Sequence, residues 1–335
     1  MLKARFVDMI YTHTEGEPTG IIHSGISYPA GSSILEKRRY LEQEYDWLRR
    51  AVMREPRGHR DMFGVFLTSP SEPGFDAGMI WIDGENFMDM CGHGTIGLSM
   101  AMVSQGMVPS TDMSTIRFET TAGPVTSHVK SNGSRVEWCS FENVPAFVSE
   151  LDVPFDLPGY GRLSADLVFG GNFFALVRWP EDKLKIAPEN AMELSRAGYL
   201  ARKILLEKVK PHHPSKPHIT NLNFVTLWHG PSRPEALYRC VHVFSDGKLD
   251  RSPGGTGTSA MMAMLERRGR IKVGDPIHSE GLLGTGTFRG QLIRSETVGN
   301  IRAVVPTIQG TANIIGFAKW LIDPADPLNE GFVVG

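Results

Sequence analysis

Asp89-Met90-Cys91-Gly92-His93-Gly94-Thr95-Ile96-Gly97 sets a cysteine directly before a run of small residues. A helix-length apolar segment follows, from Ile96 to Val103. This layout puts Cys91 at a turn entering a helix, where free N–H groups and the positive end of the helix dipole lie. Such a position favours thiolate and binds a carboxylate or phosphate on bare backbone. Taken alone, a Cys-Gly pair here reads first as a buried structural cysteine before a core helix.

A second stretch changes that balance. Asp250-Arg251-Ser252-Pro253-Gly254-Gly255-Thr256-Gly257-Thr258-Ser259 repeats the design, with Gly254 standing 163 positions after Cys91. Another apolar segment follows, Ala260 to Leu265, and ends in Arg267-Arg268-Gly269, as a helix C-terminus prefers. Two matched glycine turns, each opening an apolar helix, predict two similar lobes facing one site, with two helix N-termini directed at one small anion. The first turn carries a thiol where the second carries only Gly254.

The chain has 335 residues, 41% hydrophobic and 21% charged, which is enough for two domains of ordinary size. No apolar run reaches spanning length, and the first residues lack a signal-peptide core. Net charge is −2 with no basic block, so nucleic acid is not an expected partner. Cys91, Cys139 and Cys240 include no Cys-x-x-Cys, which points to a reducing cytoplasm and against a cysteine zinc site.

Along the chain, Arg5 to Tyr11 reads as a strand running into Thr12 to Gly20, either a polar loop of the kind that carries function or a plain hairpin. His13 in that loop either lines a pocket or caps a turn. Leu41, Tyr45, Leu48 and Val52 keep helical spacing and predict one amphipathic helix over 35–54. Glu55 to Gly64 gathers Arg57, His59, Arg60 and Asp61. Turn salt bridges account for Arg57 and Asp61 slightly better than a pocket wall does. His59 and Asp61 have no third ligand, and no metal site is expected. Strands are expected at 79–83, 115–119, 125–129 and 136–141, with Cys139 structural. Pro145 to Pro158 reads as a connector, and the lobe boundary falls near residue 135. The domains expected are therefore 1–135, possibly completed by the C-terminal tail, and 136–335. In the second lobe, strands are expected at 164–169, 175–178, 222–228, 238–244, 291–295, 301–305 and 313–320, with a helix over 187–206. Cys240 falls in the 238–244 strand, and His212, His213 and His218 fall in a surface loop. The pattern is α+β, with mixed sheet around one apolar helix per lobe. It is not a dinucleotide-binding repeat, because Cys-Gly-His-Gly is not Gly-x-Gly-x-x-Gly.

Met90-Cys91-Gly92-His93-Gly94-Thr95-Ile96-Gly97 and Asp250 to Thr258 together resemble the two active-site motifs of the proline racemase family. The resemblance extends to Thr12 to Pro18, Glu55 to Gly64 and Phe169-Gly170-Gly171-Asn172-Phe173-Phe174, nearly the whole chain. It implies the diaminopimelate-epimerase-like fold, two pseudo-symmetric lobes each around a central apolar helix, and chemistry without cofactor or metal. By analogy it also implies a homodimer. The family includes proline racemases, 4-hydroxyproline 2-epimerases and trans-3-hydroxy-L-proline dehydratases. Its racemases and epimerases carry cysteine at both turns, and its dehydratases usually carry threonine at the second. Gly254 matches neither pattern.

The resemblance assigns Cys91 as the base, Asp250 as partner of the substrate's ring ammonium, and Gly92, His93, Gly255 and Thr256 as backbone donors to the carboxylate. Donors of this kind contribute roughly 2.7–4 kcal/mol each where tested. With no side-chain acid at 254, loss of water from trans-3-hydroxy-L-proline to 1-pyrroline-2-carboxylate is the expected reaction. The alternatives are proline racemisation or 4-hydroxyproline 2-epimerisation, and a non-catalytic binding protein for proline-like ligands.

Overall fold

The computed structural model describes residues 5–334 as two compact units. The first comprises Met1–Thr14, Pro18–Cys139 and Thr311–Gly335. It opens with strands Arg5–Thr14 (β1) and Glu17–Ser24 (β2). Helices Ile34–Glu44 (α1) and Asp46–Met53 (α2) follow, then Phe63–Thr68 (β3), Ala77–Asp83 (β4) and Phe87–Met88 (β5). Gly92–Ser104 (α3) leads to Met113–Thr120 (β6) and Gly123–Ser131 (β7). The chain's last strand, Ala312–Ile322, returns to pair antiparallel with β1. Strand β2 runs parallel to β3, and β4 parallel to β6.

Val136–Glu142 (β8) carries the chain into the second unit, Glu15–Glu17 with Ser140–Gly310. Here Phe147–Leu157 (β9), Gly161–Phe169 (β10) and Phe173–Arg178 (β11) precede helix Ala191–Lys208 (α4). Leu222–His229 (β12), Tyr238–Phe244 (β13) and the short Lys248–Asp250 (β14) lead to Gly255–Arg267 (α5). Pro276–Glu280 (β15), Thr287–Val298 (β16) and Ile301–Gly310 (β17) complete it, and the strand that returns to the first unit is β18. Strand β11 is parallel to β12, and β13 to β15. Each unit therefore places its two parallel steps at the same points of the same element order, an α+β arrangement repeated once.

The apolar helix is the core of each unit. Residues 92–103 of α3 and 255–265 of α5 are all buried. A helix apolar on every side has no solvated face to offer. Helix α3 packs on β1, β7 and β18, and α5 on β9, β10, β16 and β17. Ile96, Leu98, Met261 and Met262 have no exposed surface, and burying each stabilises the fold by roughly 1.5–3 kcal/mol. This packing holds each helix N-terminus in place from below.

Two expectations change. The helix over 35–54 is two helices, broken at Tyr45, whose φ of −129° and ψ of 11° leave the helical range. Pro145 to Pro158 is mostly strand, because Val153, Phe155 and Leu157 alternate inward while Pro154 faces out. The stretch Thr12 to Gly20 is the plain hairpin of the two readings, with Glu15 and Gly16 both at positive φ as a two-residue connection requires. Among the described residues, no helix is long and apolar enough to cross a membrane.

Candidate active site

Cys91 is the N-cap of α3, in extended backbone at φ −141° and ψ 114°. Its carbonyl accepts from the Thr95 N–H at 3.1 Å and from the Thr95 hydroxyl at 2.7 Å, which starts the helix. Its thiol does not cap the helix. The first-turn N–H groups lie outside the helix's own hydrogen-bond ladder. The sulfur is 4% exposed as part of its residue and sits 3.6 Å and 3.7 Å from the two ring nitrogens of His93. The His93 ring meets Phe63 edge-on at 4.8 Å between centroids, and its carbonyl accepts from Thr14 Oγ1 at 2.9 Å. Asp89 braces the turn from the other end by accepting from Arg38 at 2.6 Å and Thr121 at 2.8 Å. Below the helix, Trp81 of β4 packs so closely that a Cβ on Gly94 would lie 2.4 Å from its ring.

The second turn is built differently. Asp250 Oδ1 accepts from the Ser252 N–H at 2.8 Å and the Ser252 hydroxyl at 2.7 Å, and Ser252 Oγ accepts from the Gly254 N–H at 3.0 Å. Asp250 is thus a buried turn brace as well as a negative charge. Glu17, fully buried, accepts from the Arg251 N–H at 2.7 Å and fixes the next residue. Gly254 is the N-cap of α5 at φ +72° and ψ 109°. The positive φ is one that only glycine adopts without strain. Its carbonyl accepts from the Thr258 N–H at 2.7 Å.

His242 of β13 lies against this turn. Its Nε2 is 2.9 Å from the Pro253 carbonyl oxygen, and its Nδ1 is 2.8 Å from Thr226 Oγ1. A carbonyl can only accept, so Nε2 carries a proton and Nδ1 of the neutral ring accepts from the Thr226 hydroxyl. Burial pushes the His242 pKa down, and Asp250 and the Pro253 carbonyl pull it back. Cys240 Sγ lies 3.6 Å from Nε2. Burial pushes the Cys240 thiol well above its ordinary range, and the Cys139 thiol up to about 12, so both stay protonated inside their strands.

The expected site residues thus fall into two groups, each assembled within its own unit: Cys91 with Gly92 and His93, and Gly254 with Asp250, Gly255 and Thr256. Arg57 is a turn brace, donating to the carbonyls of Ala51 and Asn329 at 3.4 Å and 3.2 Å. His213 is not a surface residue. It is 4% exposed and stacks edge-on against Phe147 and Phe169, and burial lowers its pKa to about 4. Among the described residues, no three His, Cys, Asp or Glu side chains are grouped to hold a metal. Sequence reading missed His242 and Glu17. The available signal for His242 was a lone titratable side chain in the apolar run Val241-His242-Val243.

The proline racemase family model matches residues 9–333. The chain belongs to the proline racemase family. A 4-hydroxyproline 2-epimerase of Cereibacter sphaeroides is 59% identical over 330 residues, covering 98% of this chain and 98% of that family member. A trans-3-hydroxy-L-proline dehydratase of Azospirillum brasilense is 36% identical over 331 residues, again covering 98% of each. Among solved structures, a hydroxyproline epimerase from Agrobacterium vitis with bound trans-4-hydroxy-L-proline superposes with a TM-score of 0.93 at 29% identity. The match covers 98% of this chain and 95% of that one.

Proposed function

We propose that the protein is an isomerase that inverts Cα of a 4-hydroxyproline without a cofactor. The observation that carries this reading over the dehydratase is the 59% identity, end to end, to a 4-hydroxyproline 2-epimerase, against 36% to a dehydratase. The chemistry agrees. A hydroxyl on C4 is one carbon too far from Cα to be expelled by a Cα carbanion, so inversion is the productive outcome. In this reading backbone N–H groups at a helix N-terminus, those of Gly92 and His93 beside Cys91, serve the substrate carboxylate, where the helix dipole favours negative charge. Those donors stabilise the charge that moves onto the carboxylate as the Cα proton leaves. Asp250 offsets the ring ammonium. Cys91 takes the proton, with negative charge on its sulfur favoured by the α3 N-terminus.

The dehydratase remains the second reading because Gly254 offers no side-chain acid for the opposite face. Chiral chromatography with the wild-type protein separates the two. Proline, the 4-hydroxyproline isomers and trans-3-hydroxy-L-proline would each be incubated and kcat/KM compared. Highest turnover by C2 inversion of a 4-hydroxyproline is the expected result. Highest turnover by water loss from trans-3-hydroxy-L-proline would replace this reading with the lyase.

A further inference from the structure

We propose that the first unit holds a second small-molecule site, a cavity along the far half of α3 that takes a short carboxylic acid with one further oxygen and no amine. The cavity measures about 310 Å³ and is lined from that unit alone. That volume is at the lower end of the range for ligand pockets and about twice that of a cavity that holds benzene. Ala101 on its wall lies roughly 15 Å along the helix from Cys91, so the space is separate from the Cys91 turn.

The lining sets the ligand's chemistry. Thr12 of β1 is 1% exposed, and its hydroxyl has no hydrogen-bond partner. That hydroxyl lies over Gly97, another lining residue, 2.5 Å from where a Cβ would stand. A buried hydroxyl left unpaired is costly, and a ligand oxygen in the cavity would serve it. Arg135 follows a turn fixed by Asn132, whose Oδ1 accepts from the N–H groups of Ser134 and Arg135 at 3.2 Å and 3.1 Å. Among the described residues, the Arg135 guanidinium has neither an ion pair nor a hydrogen bond. The described lining includes no Asp or Glu, so a carboxylate would neutralise Arg135 while an ammonium would meet no counter-charge. Met100, Ala101 and Val136 offer an apolar wall to a carbon chain, and the Met100 sulfur ties β18 to α3 by accepting from the Ala312 N–H at 3.2 Å. The matching stretch of α5 shows the contrast. A cavity of about 400 Å³ there is lined by Ala263 and Glu266, and Glu266 pairs with Arg302 of the same wall. That cavity brings its own anion, and the first unit's does not.

The test is calorimetric titration of the full-length protein with 4-oxopentanoate. Pentan-2-one lacks its carboxylate, pentanoate lacks its ketone, and 4-aminopentanoate carries an amine in the ketone's place. Wild type should bind 4-oxopentanoate with a Kd of about 1 mM or tighter. Pentan-2-one and 4-aminopentanoate should bind at least about ten-fold more weakly, and pentanoate about three-fold more weakly. Arg135→Gln should weaken 4-oxopentanoate at least about ten-fold, and Thr12→Val should remove its advantage over pentanoate. Ser104→Trp, at an exposed residue of the same wall, should abolish binding by filling the space. Arg135→Gln and Ser104→Trp change residues outside the core, so they decide the matter even if Thr12→Val fails to fold. Binding that survives both of them places the acid elsewhere, the helix N-terminus beside Cys91 included, and overturns the site. So would wild-type protein that binds no 4-oxopentanoate, or that binds 4-aminopentanoate or pentan-2-one as tightly.

Discussion

The turns at Cys91 and Gly254 open equivalent helices at equivalent points of two repeated units, yet they solve the same local problem in opposite ways. The first uses ordinary extended backbone and holds a side chain beside the helix N-terminus. The second uses a backbone available to glycine, braced by Asp250 and Ser252, and lets a neighbouring strand insert a ring into the side-chain position. The repeat therefore keeps the helix opening and changes what stands at its side-chain position.

Replacing Cys91 attacks the comparison at its stronger side. Cys91→Ala should lower kcat/KM by about a thousand-fold or more, the range for loss of a positioned acid–base group. The melting temperature should stay near wild type, because the thiol does not cap α3. Substantial turnover by the alanine variant would make the first turn as passive as the second.

Gly254→Cys asks whether the second turn accepts a side chain at all. The φ of +72° costs a side chain roughly 1–2 kcal/mol, and the new Cβ meets His242 in addition. The single variant should therefore melt several degrees lower than wild type and gain no inversion activity. A stable, faster Gly254→Cys protein would show that the ring yields easily and that the two turns are interchangeable.

Asp250→Asn separates bracing from charge. The amide oxygen still accepts from Ser252, so a small change in melting temperature is expected. Loss of the charge facing the ring ammonium should raise KM by about ten-fold. Unchanged kinetics would leave Asp250 as a brace only.

The smallest effect concerns one of the second unit's buried imidazoles. His213 has a folded-state pKa of about 4, below its ordinary 6.5, so the unfolded chain binds its proton first as pH falls. Its contribution is fully present above about pH 6.5 and is lost as pH falls from there towards the folded value. His213→Gln should flatten the fall in melting temperature between about pH 7 and pH 5, by roughly 1–2 kcal/mol of stability. An unaltered slope would assign that acid sensitivity to His242 or to other groups.

Much of this was legible in the residues. Glycine turns before apolar runs exposed both core helices, and strand alternation located most of the sheet. What stayed hidden is tertiary. The break at Tyr45 leaves no trace because Leu41, Leu48 and Val52 are buried on both sides of it, so the apolar spacing runs through. Strand β9 was masked by Pro154, which a sheet margin tolerates when it faces out. The positive φ of Gly254 and the ring beside it belong to no local pattern, since His242 reaches the turn from another strand. Gly254 itself was visible, and the ring packed beside it was not.

The central claim is that Cys91 begins a Cα inversion that leaves the hydroxyl in place. Its most direct measurement starts separately from each C2 epimer of a 4-hydroxyproline in heavy water, with wild-type protein, and follows the Cα proton by NMR. The account predicts that both runs approach one common mixture of epimers, with deuterium at Cα and every hydroxyl retained. Deuteration without interconversion, or no reaction with either epimer, would contradict it.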